Sequence, residues 1–149
     1  MSRQQLEAKL LPIRQQLFTR RAERVRPLTD DKVLTSWNGL MIRGFADAGR
    51  ILEKPGYLET AEKAATFVLE QLSDQEGRLL RTFRGGEAKL NAYLVDYAFL
   101  VEGLLSLHRA TGKKEWLDEA DRLMKIQLEL YWDDTNSGFF FTSNDHESL

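Results

Sequence analysis

The chain has 149 residues, of which 42% are hydrophobic, so it is long enough to bury one sizeable core. It contains no cysteine, which excludes disulfides and any cysteine-based metal or redox site. The formal net charge of −2 provides no general attraction for nucleic acids or anionic membranes.

The amino-terminal segment does not read as a signal peptide, because Arg3, Glu7 and Lys9 interrupt its few apolar residues. The most apolar run, residues 93–107, contains Asp96 and is too short to span a bilayer. We therefore expect a cytoplasmic chain with no membrane partner.

A charged segment with apolar residues at helical spacing opens the chain, and we predict a leading helix over 3–24 that Pro12 kinks or interrupts. Arginines cluster toward its end and just beyond. We interpret the cluster as a solvated helix face. A phosphate or nucleic-acid patch is the alternative, but no aromatic residues interleave as single-strand platforms require, so we expect no nucleic-acid partner.

The next elements form a predicted helical hairpin over 37–73. Ser36 is a good N-cap for a helix over about 37–54, Pro55-Gly56 ends that helix, and a second helix follows over about 57–73. Gly77 and Gly85-Gly86 then punctuate a predicted β-hairpin, with LLRTFR as one strand and AKLNAYL leading out of it.

A second helical hairpin is predicted over 94–131, from helices at about 94–110 and 114–131 joined at Thr111-Gly112. Trp132 and Asp133 then begin a turn that leads to three consecutive phenylalanines.

The two hairpins repeat each other at a spacing of 59 residues. Gly44 matches Gly103, and the other matched pairs are Tyr57 with Trp116, Leu58 with Leu117, Ala61 with Ala120 and Leu69 with Leu128. Self-similarity at a period of this size indicates a repeat architecture.

The first helix of each hairpin is apolar nearly all round, whereas the second is amphipathic. This alternation predicts buried inner helices and half-exposed outer helices. We therefore predict an all-α fold of helical hairpins from an α/α toroid, like that of six-hairpin glycosidases, with short β-hairpin insertions and with residues 1–149 as a single domain.

Two hairpins and a leading helix make an incomplete ring, since a closed toroid needs about six hairpins that each bury a face against their neighbours. We expect the rest of a toroid, or a second copy of the chain, to complete the ring.

The loop into the first hairpin contains the first candidate site. Asp30 and Asp31 are adjacent carboxylates, a pairing that can raise one pKa and suit a general acid. Trp37 can stack on a sugar ring, and Lys32 and Asn38 can contact hydroxyl groups of a substrate. The alternative is a hydrogen-bonded loop with Trp37 in the core.

The second candidate site lies at the start of the other inner helix, where Asp96 is the repeat equivalent of Trp37. Asp96 between Tyr93 and Tyr97 is a candidate acid or base in an aromatic-lined cavity that binds substrate. The alternative is an aspartate that caps its own helix. If Asp96 forms a glycosidase pair with Asp31 or Asp30, a separation of about 6.5–9.5 Å fits inversion and about 5–5.5 Å fits retention.

Other polar residues give weaker signals. Arg43, Asp47 and Glu102 lie on otherwise apolar helices, so each needs a partner, either in a buried ion pair or along a polar ring lining. His108 and His146 show no metal-ligand spacing, so we expect neither a zinc site nor a cofactor.

Three stretches together resemble the YyaL-like family, which includes spermatogenesis-associated protein 20. They are RPLTDDKVLTSWNGLMIRGFADAGR, GRLLRTFRGGEAKLNAYLVDYAFLVEGLLSL and the closing GFFFTSNDHESL. The resemblance implies a thioredoxin-like domain followed by a six-hairpin α/α toroid similar to glycosidases and N-acylglucosamine 2-epimerase. The present chain matches only part of that toroid, and the family supplies no catalytic residues to carry over.

Two functional hypotheses follow. In the first, the toroid binds or processes a sugar or polyol in its full-length form, as a glycoside hydrolase or sugar epimerase would, with no catalysis by this segment alone. In the second, the toroid is a non-catalytic scaffold or protein-interaction module. If Asp31 and Asp96 point away from a shared cavity, or serve as helix caps, the scaffold hypothesis is favoured over the carbohydrate hypothesis.

Overall fold

The computed structural model describes residues 2–146, which divide into two compact units at Asp30 and Asp31. The first unit contains helix α1 (Arg3–Ala22), none of whose residues is buried. Ser2 and Gln5 form a reciprocal capping box at its start. The predicted leading helix is confirmed, but α1 continues through Pro12, so the predicted interruption does not occur. The single-domain assignment stays a prediction.

The second unit contains four helices: α2 (Thr35–Ile51), α3 (Pro55–Gln71), α4 (Leu94–Thr111) and α5 (Lys114–Tyr131). Both predicted helical hairpins are confirmed. Pro55 occupies the first turn of α3, where its missing N–H costs no hydrogen bond. Gly112 ends α4 in a left-handed conformation with φ of 71°.

Two small antiparallel sheets complete the second unit. Strands β1 (Val33–Leu34), β2 (Leu80–Arg84) and β3 (Glu87–Asn91) form the first sheet in that order, with Val33 opposite Phe83 and Arg84 opposite Glu87. Gly85 and Gly86 both have positive φ, as a tight hairpin turn requires, so the predicted hairpin is confirmed. Strands β4 (Trp132–Asp133) and β5 (Gly138–Phe139) form the second sheet.

Helices α2 and α4 form a central pair whose backbones nearly touch. A Cβ atom added at Gly39 would lie 2.5 Å from the carbonyl carbon of Phe99, and one added at Gly103 would lie 2.7 Å from the carbonyl oxygen of Gly39. Only glycine permits this separation. The prediction that the two apolar helices lie side by side is therefore confirmed.

Helices α3 and α5 flank the central pair. The predicted apolar face of α3 points inward, but that of α5 is wrong, because Leu117, Met124 and Leu128 are exposed. Alanines and one valine of α3 are buried, and α5 buries Trp116, Ala120, Leu123 and Tyr131 in the same core. Gly49 of α2 lets Leu58 of α3 pack closely against it. No helix within residues 2–146 combines the length and the apolar character needed to cross a bilayer.

The central helices differ in burial, contrary to the prediction that both are buried all round. Helix α4 is covered along its length, with Leu100 and Leu104 fully buried. Helix α2 buries one face but exposes Trp37, Met41 and Ile51 on the other. Helix α2 therefore has apolar side chains that its neighbours within residues 2–146 leave exposed.

The close approach of α2 and α4 predicts that Gly39→Ala lowers the free energy of unfolding by about 3 kcal/mol, because the new methyl group meets α4 backbone that cannot move aside. Gly56→Ala on α3 is the matched control, since a Cβ atom there meets nothing within 4 Å and alanine favours a helix. Urea denaturation measures both variants. Equal unfolding midpoints would show that the helices are not in backbone contact.

Candidate functional site

Asp96 lies at the junction of the two central helices, fully buried at 0% exposure. Its Oδ1 accepts the Ser36 backbone N–H at 3.0 Å, and its Oδ2 accepts the Tyr93 backbone N–H at 2.9 Å. Arg81 of β2 donates to Oδ2 at 3.0 Å and balances the charge. The Asp96 carboxylate thus accepts three hydrogen bonds from groups of the protein itself.

This carboxylate caps two helices at once. Ser36 is inside the first turn of α2 and Tyr93 is the N-cap of α4, so both N–H groups would otherwise lack a partner. Both positive helix ends also face the negative charge. The prediction that Ser36 caps α2 is wrong: Leu34 holds the N-cap position without a side-chain bond, and Asp96 supplies the cap from α4.

The other two predicted acids lie in different surroundings. The Asp31 side chain is 64% exposed and forms an ion pair with Arg84 at 2.5 Å. Asp30 is exposed and belongs to the first unit. Asp31 and Asp96 therefore each have their own arginine on β2, and the structure does not bring them together on one partner.

The predicted stacking residues divide in the same way. Tyr97 is 1% exposed, and its hydroxyl oxygen accepts the Leu79 N–H at 2.9 Å. Burial raises the pKa of the Tyr97 phenol. Trp37 is 68% exposed at the start of α2. Of these two aromatic side chains, only Trp37 presents an open ring.

Tyr93 is covered by other side chains. The Arg81 guanidinium carbon lies 4.5 Å from its ring centroid, a cation–π contact. The ring centroids of Phe141 and His146 lie 5.0 and 5.9 Å from that of Tyr93, with interplanar angles of 35° and 32°. Tyr93 therefore joins the closing segment of the described chain to α4.

The two remaining predicted contacts, Lys32 and Asn38, lie on either side of Trp37 in the sequence. Asn38 donates from Nδ2 to the Leu34 carbonyl at 2.9 Å and so holds the turn into α2. Lys32 is exposed in the preceding loop. Within residues 2–146 no group of three histidine or acidic side chains is placed to hold a metal ion.

Several residues that position the site were not predicted. Arg78 donates to both carboxylate oxygens of Asp145, at 2.7 and 3.0 Å, and these bonds hold the pKa of Asp145 below its usual range. The Tyr131 hydroxyl donates to the Ala92 carbonyl at 2.6 Å. The partners are far apart in sequence, so neither helical nor strand spacing signals them.

The charged residues on the central helices form an interhelical ion pair. Arg43 of α2 lies 2.5 Å from Glu102 of α4 and 3.8 Å from Asp47, and all three side chains are about half exposed. The pair is therefore not buried, and it lies along the accessible side of the seam between the central helices.

The double cap predicts that Asp96→Asn lowers the free energy of unfolding by about 3 kcal/mol, because the neutral amide removes the charge that Arg81 and both backbone N–H groups bind. The matched control is Asp31→Asn, which removes an exposed pair and should cost less than about 1 kcal/mol. Chemical denaturation compares the two. Losses of equal size would contradict the structural role of Asp96.

Comparisons with curated proteins find close sequence relatives. The chain is 38% identical over 135 residues to spermatogenesis-associated protein 20 of Rattus norvegicus, a match that covers 85% of this chain and 17% of the relative. An uncharacterised protein of Caenorhabditis elegans is 35% identical over 141 residues, covering 89% of this chain and 19% of the relative. The chain thus spans about a fifth of the length of these relatives or less. No protein-family model matches it.

Solved structures share the fold. Cellobiose 2-epimerase from Spirochaeta thermophila superposes with a TM-score of 0.69 at 23% identity, over 76% of this chain and 30% of that one. A GH76 α-mannanase from Bacteroides thetaiotaomicron gives 0.68 at 14% identity, over 76% and 33% of the two chains. The four helices are therefore α/α-toroid hairpins, with α2 and α4 as inner helices and α3 and α5 as outer helices, and the fold prediction is confirmed.

Proposed function

Since this chain is homologous to a segment of spermatogenesis-associated protein 20, we propose that it forms one part of a carbohydrate-binding α/α toroid. The observation that carries the proposal is Trp37, an exposed indole at the amino end of an inner helix. The structural neighbours include proteins named for cellobiose epimerisation and α-mannan cleavage, which supports a sugar or polyol as the ligand class.

An exposed indole suits this ligand class because a sugar presents C–H groups on its ring faces and hydroxyl groups around its edge. Trp37 offers the apolar face, and the exposed Lys32 and Asp31 precede it in the same loop. Asn38 fixes the turn through its bond to Leu34, which holds the indole on an ordered backbone. A rigid aromatic platform with a few polar neighbours is the usual composition of a small-molecule site.

The acid and base roles divide according to accessibility. Asp96 is fully buried among its partners, so we assign it to positioning the inner helices and not to proton transfer. Asp30 and Asp31 are exposed, and they are the acids that a full ring can use on a substrate. Two hairpins alone do not exclude water from a substrate, so we expect no turnover by this segment.

The chain labelled with 5-fluorotryptophan tests the proposal, because it has three tryptophans in three environments. We expect cellobiose, an α-mannan oligosaccharide or a malto-oligosaccharide to shift the ¹⁹F resonance of Trp37 saturably, with a dissociation constant on the order of 1 mM. Trp37→Phe assigns the signal.

The other two tryptophans are internal controls for that titration. Trp116 is buried, and Trp132 is exposed at the end of an outer helix and donates to Asp134. Neither resonance should move. Absence of a saturable shift at Trp37 with all three sugars, or equal shifts at all three tryptophans, would contradict carbohydrate binding here.

The scaffold function remains the second candidate, and the capping role of Asp96 is the observation that favours it. A carboxylate that holds two helix ends together stabilises a ring whether or not the ring binds a small molecule. A null result in the sugar titration, with the fold intact, is the outcome that this candidate predicts.

A further inference from the structure

A groove with a volume of about 530 Å³ separates the outer helices α3 and α5. Two contacts cross it, one at each end. Lys113 Nζ, just before α5, lies 2.6 Å from Glu62 Oε1 of α3. Arg122 Nη1 of α5 donates to the Gly77 carbonyl, in the loop after α3, at 2.8 Å. The groove therefore belongs to the second unit alone, and these two contacts link its walls.

Acidic side chains predominate along this groove. Four glutamates line it, against one lysine and one arginine. The lysine and the arginine each pair with one of the glutamates. The other two, Glu70 and Glu115, are exposed and form no ion pair with any residue that the structure describes. Their uncompensated charges attract a cation into the groove.

Two buried polar atoms of the groove lack a hydrogen-bond partner. Trp116 is only 6% exposed, and its Nε1–H group donates to no acceptor within residues 2–146. The Ser73 hydroxyl oxygen is likewise buried without a partner in that part of the chain. Both residues line the groove. A buried N–H group without an acceptor costs free energy, which a ligand that brings a carbonyl group recovers.

We propose that this groove binds a short basic segment of a partner protein in an extended conformation. An arginine or lysine side chain of the segment pairs with Glu70 and Glu115. Its aliphatic stem lies against Leu69, which also lines the groove. A backbone carbonyl of the segment accepts the Trp116 N–H.

The unpartnered indole favours a peptide over other cations. An aliphatic polyamine also carries positive charge and apolar methylene groups. Its protonated amines have no acceptor, however, so it leaves the Trp116 N–H without a partner. A peptide supplies the cation and the carbonyl from one short stretch of chain.

The length of the groove fits a few residues of extended chain. Glu62 and Glu70 are eight residues apart on α3, which is about 12 Å along a helix axis. An extended chain advances about 3.3 Å per residue, so about four residues span this distance. The inference is independent of the proposed carbohydrate function, because Trp37 does not line this groove.

Fluorescence anisotropy of a labelled peptide tests the proposal. The probe is a five-residue peptide, blocked at both ends, with one arginine and one lysine between glycines. We expect saturable binding to the full chain at low ionic strength, with a dissociation constant on the order of 100 μM. Glu70→Gln combined with Glu115→Gln should weaken binding by at least about tenfold, because both unpaired charges are lost.

The matched control combines Glu59→Gln with Glu129→Gln. These exposed glutamates lie on the same two helices but outside the groove, so the net charge changes equally. This control should bind the peptide as the unmodified chain does. Circular dichroism checks that each variant is folded.

The chain labelled with 5-fluorotryptophan locates the bound peptide. We expect the peptide to shift the ¹⁹F resonance of Trp116 and to leave those of Trp37 and Trp132 in place. Trp116→Phe removes the N–H group and should weaken binding by about fivefold, whereas Trp132→Phe should leave it unchanged. Because sugars are expected to act at Trp37, either proposal can fail while the other holds.

Four results would overturn the peptide site. They are the absence of saturable binding at low ionic strength, equal weakening by the two glutamate double variants, binding that leaves the Trp116 resonance unshifted, and spermine that binds as tightly as the peptide. The last result would indicate general attraction of cations by the acidic groove.

Discussion

One buried carboxylate holds the two inner helices in place. Asp96 accepts the Ser36 N–H from α2 and the Tyr93 N–H from α4, while Arg81 supplies the balancing charge. Both helices therefore begin at the same point in space, with their positive ends facing one negative group. A buried charge of this kind is tolerated only because each of these partners is present.

The rest of the second unit is arranged around that junction. Gly39 and Gly103 let the helices stay in backbone contact below the carboxylate, and the flanking helices cover them from one side. Because α2 begins at the shared cap, Trp37 lies next to that cap in the first turn of α2. Its side chain is on the face of α2 that α4 does not cover. The sugar-binding role that we propose for Trp37 and the capping role of Asp96 both depend on this geometry.

The repeat made the helical hairpins predictable, because alternating apolar and amphipathic helices with glycine, proline and Gly-Gly boundaries leave few other assignments. The β-hairpin followed from Gly85-Gly86 for the same local reason. The cap of α2 was not predictable in this way. Ser36 has the right chemistry for a local cap, but the group that binds its N–H comes from 60 residues away.

The candidate site shows the same division between local and tertiary information. Tyr97 was predicted to contact substrate, yet its hydroxyl serves Leu79 inside the core, because aromatic residues near a helix start can face either way. We predicted too much burial for α2. An apolar sequence pattern indicates which helix faces are hydrophobic, but it does not indicate whether another element packs against each of them.

Native-state hydrogen exchange of individual amides tests the double cap most directly. Ser36 lies in the first turn of α2, where an amide without a partner would exchange rapidly. The account predicts that the Ser36 and Tyr93 amides open with the same free energy as core amides such as that of Leu104, and that Asp96→Asn lowers both together. Rapid exchange at Ser36 while Leu104 stays protected would contradict it.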